Sequence, residues 1–231
     1  MNDENKQQAG YEMTGNFRKQ WGTAVVDLTH DSLKIFGHPV MERWETPFME
    51  QLAKVATEKG GRILEVGFGL GISANAIQTN SIKEHHIIEA NEEVYKSLTE
   101  FAQNSKNLVK PHLGTWETVI SNFADNFFDG ILYDAYPLTG QEQHFHHFNF
   151  LREANRILKS DGVMTYCNLT SWGRLISDYD SVSDMVLATQ IPSIKECGFS
   201  TVSWETFNVN PDSNCQYYQH NQAPKIKHRF Y

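Results

Sequence analysis

The stretch RILEVGFGLG, residues 62–71, constrains the fold more than any other part of the chain. A short apolar run leads directly into a glycine-rich loop, and a helical pattern follows from Ile72 to Gln78. Strand, tight turn and helix in that order open a parallel α/β unit, because a parallel neighbour is reached only through a crossover. Further runs of strand length recur at HHIIEA (85–90), FFDGILYD (127–134) and GVMTYCN (162–168). Helical patterns lie between them at Glu92–Ala102, Thr115–Phe123 and Phe148–Leu158. The alternation predicts an α/β fold with a doubly wound, mostly parallel sheet. FSTVSWETFNV (199–209) and CQYYQH (215–220), joined across Asn210–Asn214, are predicted to finish that sheet as an antiparallel hairpin at its edge.

Upstream, Trp44, Phe48, Leu52 and Val55 recur at helical spacing and Gly60-Gly61 supplies a stop. Thr46-Pro47 suits an N-cap and first helical position, which places Glu45 at the helix mouth. Phe17–Val40 has no strong period and reads as short helices or loops forming a lid over the domain. Residues 1–15 are polar and read as a mobile N-terminus. The expectation is one domain over 16–231, with 16–60 as cover and helix and 61–231 as the sheet core.

A chain of 231 residues that is 40% hydrophobic can bury a sizeable core. Its formal charge of −8 argues against a nucleic-acid partner, since phosphate binding relies on clustered Lys and Arg. Lys225, Lys227 and Arg229 form a basic run that reads as a solvated face. Cys167, Cys197 and Cys215 are widely spaced with no CxxC pair, which suits a reducing compartment. The polar opening and the lack of any run of about 18 apolar residues predict a cytoplasmic protein without a membrane partner. Nothing in the sequence sets an oligomeric state.

Two motifs carry chemistry. In EVGFGLG (65–71), Gly67 and Gly69 would let backbone approach a ligand closely. A dinucleotide fingerprint wants a third glycine three positions after the second, where Ile72 stands; Gly71 comes one earlier. The pattern therefore suits a nucleoside with an amino-acid tail and no pyrophosphate. Glu89 ends the next strand about 20 residues on, where an acid can accept both ribose hydroxyls. Glu65 could orient backbone amides of the loop. Trp116-Glu117 could wall and accept an adenine, or equally be a core Trp and a helix-start acid. In GILYDAYP (130–137) an apolar strand ends on Asp134, which either caps the turn or faces the ligand crevice beyond the strand ends.

HPVMERWETPFM (38–49), EVGFGLG (65–71), IIEAN (87–91), ILYDAYP (131–137) and YCNLTSWG (166–173) together resemble the guanidinoacetate N-methyltransferase family, within the class I S-adenosylmethionine-dependent methyltransferases. The resemblance covers about residues 20–220 and implies a Rossmann-like sheet. It also implies a cofactor, S-adenosylmethionine, held by Phe68, Leu70, Gly71, Ile72 and Ser73 with the loop glycines, by Glu89, Ala90 and Asn91, by Trp116 and Glu117, and by Met49 and Trp21. Glu45 and Asp134 would grip the guanidino group of a small-molecule substrate, the Leu169 and Thr170 backbone would receive its carboxylate, and Met41 would line the same pocket. Ala135, Gly71 and the HFHHF stretch (144–148) depart from the family pattern.

The implied chemistry wants two acids. A guanidinium, with a pKa of about 12.5–13.8, arrives charged and without a free lone pair. Its methyl donor is also a cation, so two carboxylates offset the repulsion and orient one nitrogen. Asp134 is the expected base. Tyr136 packs on the guanidinium or in the core, and Cys167 reads as a small buried residue rather than a nucleophile. His144, His146 and His147 have no accompanying ligand spacing, so no metal is expected. Two other functions stay open. One is methylation of free or protein arginine, since fungal arginine N-methyltransferases have a similar domain; the other is non-catalytic S-adenosylmethionine binding.

Overall fold

The computed structural model describes residues 15–229, so the N-terminal stretch expected to be mobile lies, except for Gly15, outside the described residues. The first described region corrects the sequence reading. Phe17–Val40 is not merely loops and short helices: β1 (Val26–Leu28), β2 (Ser32–Ile35) and β3 (His38–Glu42) form a three-stranded antiparallel sheet. Leu33 and Ile35 alternate with half-buried Ser32 and Lys34, the period-2 signature of a half-covered strand. Phe36 and Gly37 both take positive φ, 54° and 76°, as a two-residue hairpin turn between β2 and β3 requires. A phenylalanine in the left-handed region hides that turn from a search for Asn-Gly or Asp-Gly.

Helix α1 (Thr46–Ala56) starts one residue earlier than expected, with Glu45 rather than Thr46 at the N-cap and Pro47 within its first turn, and it buries Phe48, Met49 and Leu52. The main sheet then builds as expected from β4 (Arg62–Val66), α2 (Ile72–Gln78), β5 (Glu84–Glu89) and α3 (Glu92–Asn104). Strand β6 (Leu108–Leu113) was not legible. Lys110, Pro111 and His112 break its apolar run, and Pro is tolerated there because β6 is the sheet's edge. Next come α4 (Trp116–Val119), β7 (Phe128–Tyr133), α5 (His146–Ile157), β8 (Leu158–Tyr166) and α6 (Leu169–Leu175).

The final hairpin exists, but its second strand is displaced. Strand β9 is Thr201–Asn208, and β10 is Gln222–Arg229 rather than 215–220. The supposed solvated run is this strand: Lys225 pairs with Glu205, and Lys227 and Arg229 both pair with Glu58. The seven strands run in the order β6-β5-β4-β7-β8-β10-β9, with β10 antiparallel to both its neighbours. Ile87 and Ile88 point to opposite faces and join separate buried clusters, so both faces of the sheet are covered. No helix among the described residues is long and apolar enough to cross a membrane.

Candidate active site

Strands β4 and β7 lie side by side in register, Val66 opposite Tyr133, so the chain leaves the sheet at Gly67 and Asp134 together. The Asp134 amide donates to the Val66 carbonyl at 2.8 Å, and the Cys167 amide to the Tyr133 carbonyl at 2.9 Å. Glycine is required at 67 because φ is +95° and a Cβ would lie 2.2 Å from the Asp134 carbonyl oxygen. At Gly69, φ +53°, the nearest atom to a Cβ is Met41 Sδ at 2.8 Å. The close approach these glycines permit is thus to the protein's own atoms as well as to the cleft they line.

Two cavities open beyond the strand ends, where ligand crevices lie in open α/β sheets. The larger, about 850 Å³, is walled by Trp21, Met41, Gly67, Gly69, Glu89, Ala90, Trp116 and Glu117. The smaller, about 360 Å³, is walled by Glu45, Cys167, Leu169, Thr170 and Tyr217. Val40, Asp134, Ala135 and Tyr136 belong to both. Asp134 is the charged group on the shared wall.

Glu45 is buried and Asp134 half-buried, and both are harder to ionise than usual. Burial pushes Glu45 up to about 8, the Asp134 charge adding to it, while the Tyr217 hydroxyl hydrogen bond pulls the other way. Asp134 is pushed up to about 7 by burial, against a Cys167 side-chain hydrogen bond that lowers it. Short of counter-charge, the two acids keep their protons to higher pH than usual, and a cation beside them would favour their charged forms.

At the large cavity, Glu89 Oε2 accepts from the Phe68 amide at 3.0 Å and Oε1 from the Asn91 amide at 2.8 Å. Burial raises the Glu89 pKa, and these amides oppose the rise. Asn91 Oδ1 caps α3, and its Nδ2 donates to the carbonyls of Trp21 and Ala24. The side chain therefore ties the N-terminal turn to the sheet and does not line the cleft. Trp21 stacks on Tyr136 with ring centroids 5.3 Å apart. The Tyr136 hydroxyl is buried without a partner among the described residues.

Other expected cofactor residues line neither cavity. Met49 and Ile72 are in the core, and Phe68 packs on Phe101. The Leu70 amide donates to Met41 Sδ, Gly71 precedes α2 with φ +70°, and the Ser73 hydroxyl bonds Glu65. Met41, expected beside the substrate, lines the larger cavity. Glu65 does not orient loop amides; it is buried against Ser73 and lies 2.9 Å from His85.

Each histidine of the 144–147 cluster has a partner within the fold, and His146 also lines the larger cavity. His144 contacts Ser171, His146 the Ala135 carbonyl at 2.8 Å, and His147 both Asn168 and Gln190. Among the described residues no group of three or more His, Cys, Asp or Glu could hold a metal ion.

Two residues escaped the sequence reading. The Tyr217 hydroxyl donates to Glu45 Oε1 at 2.6 Å, across 172 positions in the chain. Arg18 bridges Glu117 at 3.0 Å and Glu142 at 2.7 Å, at the rim of the larger cavity. Neither had a local signal, because each acts through a partner distant in sequence.

A family model described as guanidinoacetate N-methyltransferase matches residues 10–228. Relatives named protein arginine N-methyltransferase 2 include one from Aspergillus oryzae, 32% identical over 171 residues, covering 72% of this chain and 39% of the relative. Another, from Kluyveromyces lactis, is 29% identical over 201 residues, covering 81% and 47%. The chain thus spans less than half the length of these relatives. Among solved structures, spermidine synthase from Thermotoga maritima is similar in fold, with a TM-score of 0.61, 14% identity and coverage of 88% of this chain and 71% of that one. The M. jannaschii TYW2 structure in complex with AdoMet has a TM-score of 0.55, 14% identity and coverage of 89% and 84%. These two likenesses are of fold, while the family match spans nearly every element described above: the chain belongs to the guanidinoacetate N-methyltransferase family.

Proposed function

We propose that this chain methylates a guanidino nitrogen of a small acceptor, guanidinoacetate, giving creatine, with S-adenosylmethionine as donor. The observation that carries the reading is the pair of counter-charge-poor carboxylates, Glu45 buried and Asp134 half-buried, in a small cavity whose shared wall is Asp134. The larger cavity fits the donor. Glu89 lines it with a carboxylate that could meet a ribose diol, and the Tyr136 hydroxyl is buried in the same wall without a partner among the described residues. Trp116 and Glu117 face the same cleft, where an adenine would lie. When bound, S-adenosylmethionine supplies a methyl group on a positively charged sulfur.

The chain's own residues do the rest. Arrival of a guanidinium drives Glu45 and Asp134 to their charged forms, and their hydrogen bonds turn one nitrogen toward the donor cavity. The first amides of α6, at Leu169 and Thr170, face an acceptor carboxylate. Asp134 takes an N–H proton as the nitrogen bonds the methyl carbon, and the sulfur keeps the electron pair of the bond that breaks. Glu45 stays ionised and holds the resulting methylguanidinium. Charge is conserved: one cation leaves as methylated guanidinium, and the donor's positive charge is neutralised as Asp134 is.

The relatives' names favour a second reading, an arginine acceptor. The small cavity is walled from several sides, by residues of β3, α6 and the 209–221 segment, which supports the smaller molecule. Transfer of labelled methyl to guanidinoacetate, arginine, an arginine-containing protein and glycine tests both. Labelling of arginine or protein in place of guanidinoacetate overturns the acceptor assignment. Donor binding without transfer to any of them makes the chain a binding protein.

A further inference from the structure

We propose that Tyr217 and Cys167 are positioning residues that give the two carboxylates different work: Tyr217 saturates one oxygen of Glu45 and makes it an anchor, while the weak Cys167 thiol leaves Asp134 open to take a proton. The inference rests on the guanidine reading above and adds residues that reading does not use.

Glu45 Oε1 receives two donors, the Tyr217 hydroxyl at 2.6 Å and the Glu42 amide at 2.8 Å. A phenol oxygen that close to a carboxylate makes a strong, charge-assisted bond. Oε1 is fixed, and Oε2 is the oxygen left for an incoming N–H. An acid so held has a fixed orientation toward a cation, and the phenol hydrogen bond opposes the rise in its pKa that burial causes.

Tyr217 is itself held firmly. Its ring lies 6.0 Å from that of Trp44, and its carbonyl packs so closely on Gly173 that a Cβ there would approach to 1.9 Å. The 209–221 segment, left irregular between β9 and β10, is thereby pinned on α6 with its tyrosine in the acceptor cavity.

Asp134 has different company. Cys167 follows β8 as Asp134 follows β7, and the register of Tyr133 with Tyr166 places the two side by side. Its thiol is buried in the cavity wall it shares with Asp134, and burial with the Asp134 and Glu45 charges keeps it protonated. A sulfur donor is weaker than a hydroxyl, so it orients the carboxylate with little loss of basicity.

Tyr217→Phe and Cys167→Ser separate the two roles. Carboxyl carbons in 13C-labelled, ligand-free protein would be titrated by NMR, with Glu45→Gln and Asp134→Asn assigning the signals. This readout does not depend on turnover. In Tyr217→Phe the Glu45 midpoint should rise by about one pH unit, with the Asp134 midpoint nearly still. In Cys167→Ser the Asp134 midpoint should fall, because a stronger donor replaces the thiol. In turnover, Tyr217→Phe should raise KM for the guanidine about tenfold with kcat within about threefold, and Cys167→Ser should lower kcat with little change in KM. Unmoved midpoints, or a Tyr217→Phe that lowers kcat and leaves KM unchanged, would overturn the division. A wild-type protein inactive on every guanidine would instead remove the functional reading, with the titration still deciding whether each donor tunes its acid.

Discussion

Trp21 lies flat on Tyr136, the ring planes within 9° of each other and the centroids 5.3 Å apart. The N-terminal turn thus meets, face to face, a side chain that follows the carboxyl end of β7 and belongs to both cavities. Trp21→Ala removes the stack and one wall of the larger cavity. Such pairs contribute about 1 kcal/mol beyond the area they bury. Affinity for S-adenosylmethionine should fall about tenfold by titration calorimetry, with the folded state retained; unchanged affinity would place the donor elsewhere.

The roles assigned to the two acids predict different kinetic signatures. Asp134→Asn should lower kcat by about 10²–10⁴, the range of a lost general base. Glu45→Gln should raise KM for the guanidine by about thirtyfold or more, since it strips one partner from a buried charge pair. Steady-state assays on both variants, with donor binding measured alongside, check the contrast.

Raised carboxyl pKa values have a sign. Asp134 and Glu45 stand at about 7 and about 8, above their ordinary 3.8 and 4.5. Their contribution to stability is therefore present below about pH 4 and is lost as pH rises through 7 and 8. Ligand-free protein should lose several degrees of melting temperature between pH 5.5 and pH 8.5, and the double variant Glu45→Gln, Asp134→Asn should lose less. A guanidine should restore the difference at pH 8.5 and release protons on binding at pH 7, read by calorimetry in buffers of different ionisation enthalpy.

Asn91 should matter to the fold more than to any ligand. It caps α3 through Oδ1 and satisfies the Trp21 and Ala24 carbonyls through Nδ2, all in a fully buried position. Asn91→Ala combines a lost cap with two deprived carbonyls, about 2 kcal/mol or more of stability. Urea unfolding should show an earlier midpoint with nearly the same slope.

What the sequence revealed follows from how locally each feature is encoded. RILEV, the glycine loop and α2 are contiguous, and their strand and helix bounds emerge as read. Asp134 was legible because a charge ending an apolar strand is visible in a few letters. Strands β1 to β3 were not, since their turn uses Phe36 in place of Asn or Asp, and β10 was not, since its lysines and arginine look solvated until Glu58 and Glu205 come into register. At the site, the paired acids could be named from motif, whereas Tyr217 and Arg18 could not, their meaning lying in carboxylates 172 and 99 or more positions away. Phe68, Ile72 and Ser73 belong to the loop and the start of α2 and are buried in packing them, as Met49 is buried on α1.

Because Asp134 forms a partition common to both cavities, a change there alters two pockets at once. Val94 faces the larger cavity alone and Thr170 the smaller alone. A substitution at Thr170 can therefore reshape the smaller cavity while the wall of the larger one keeps its residues.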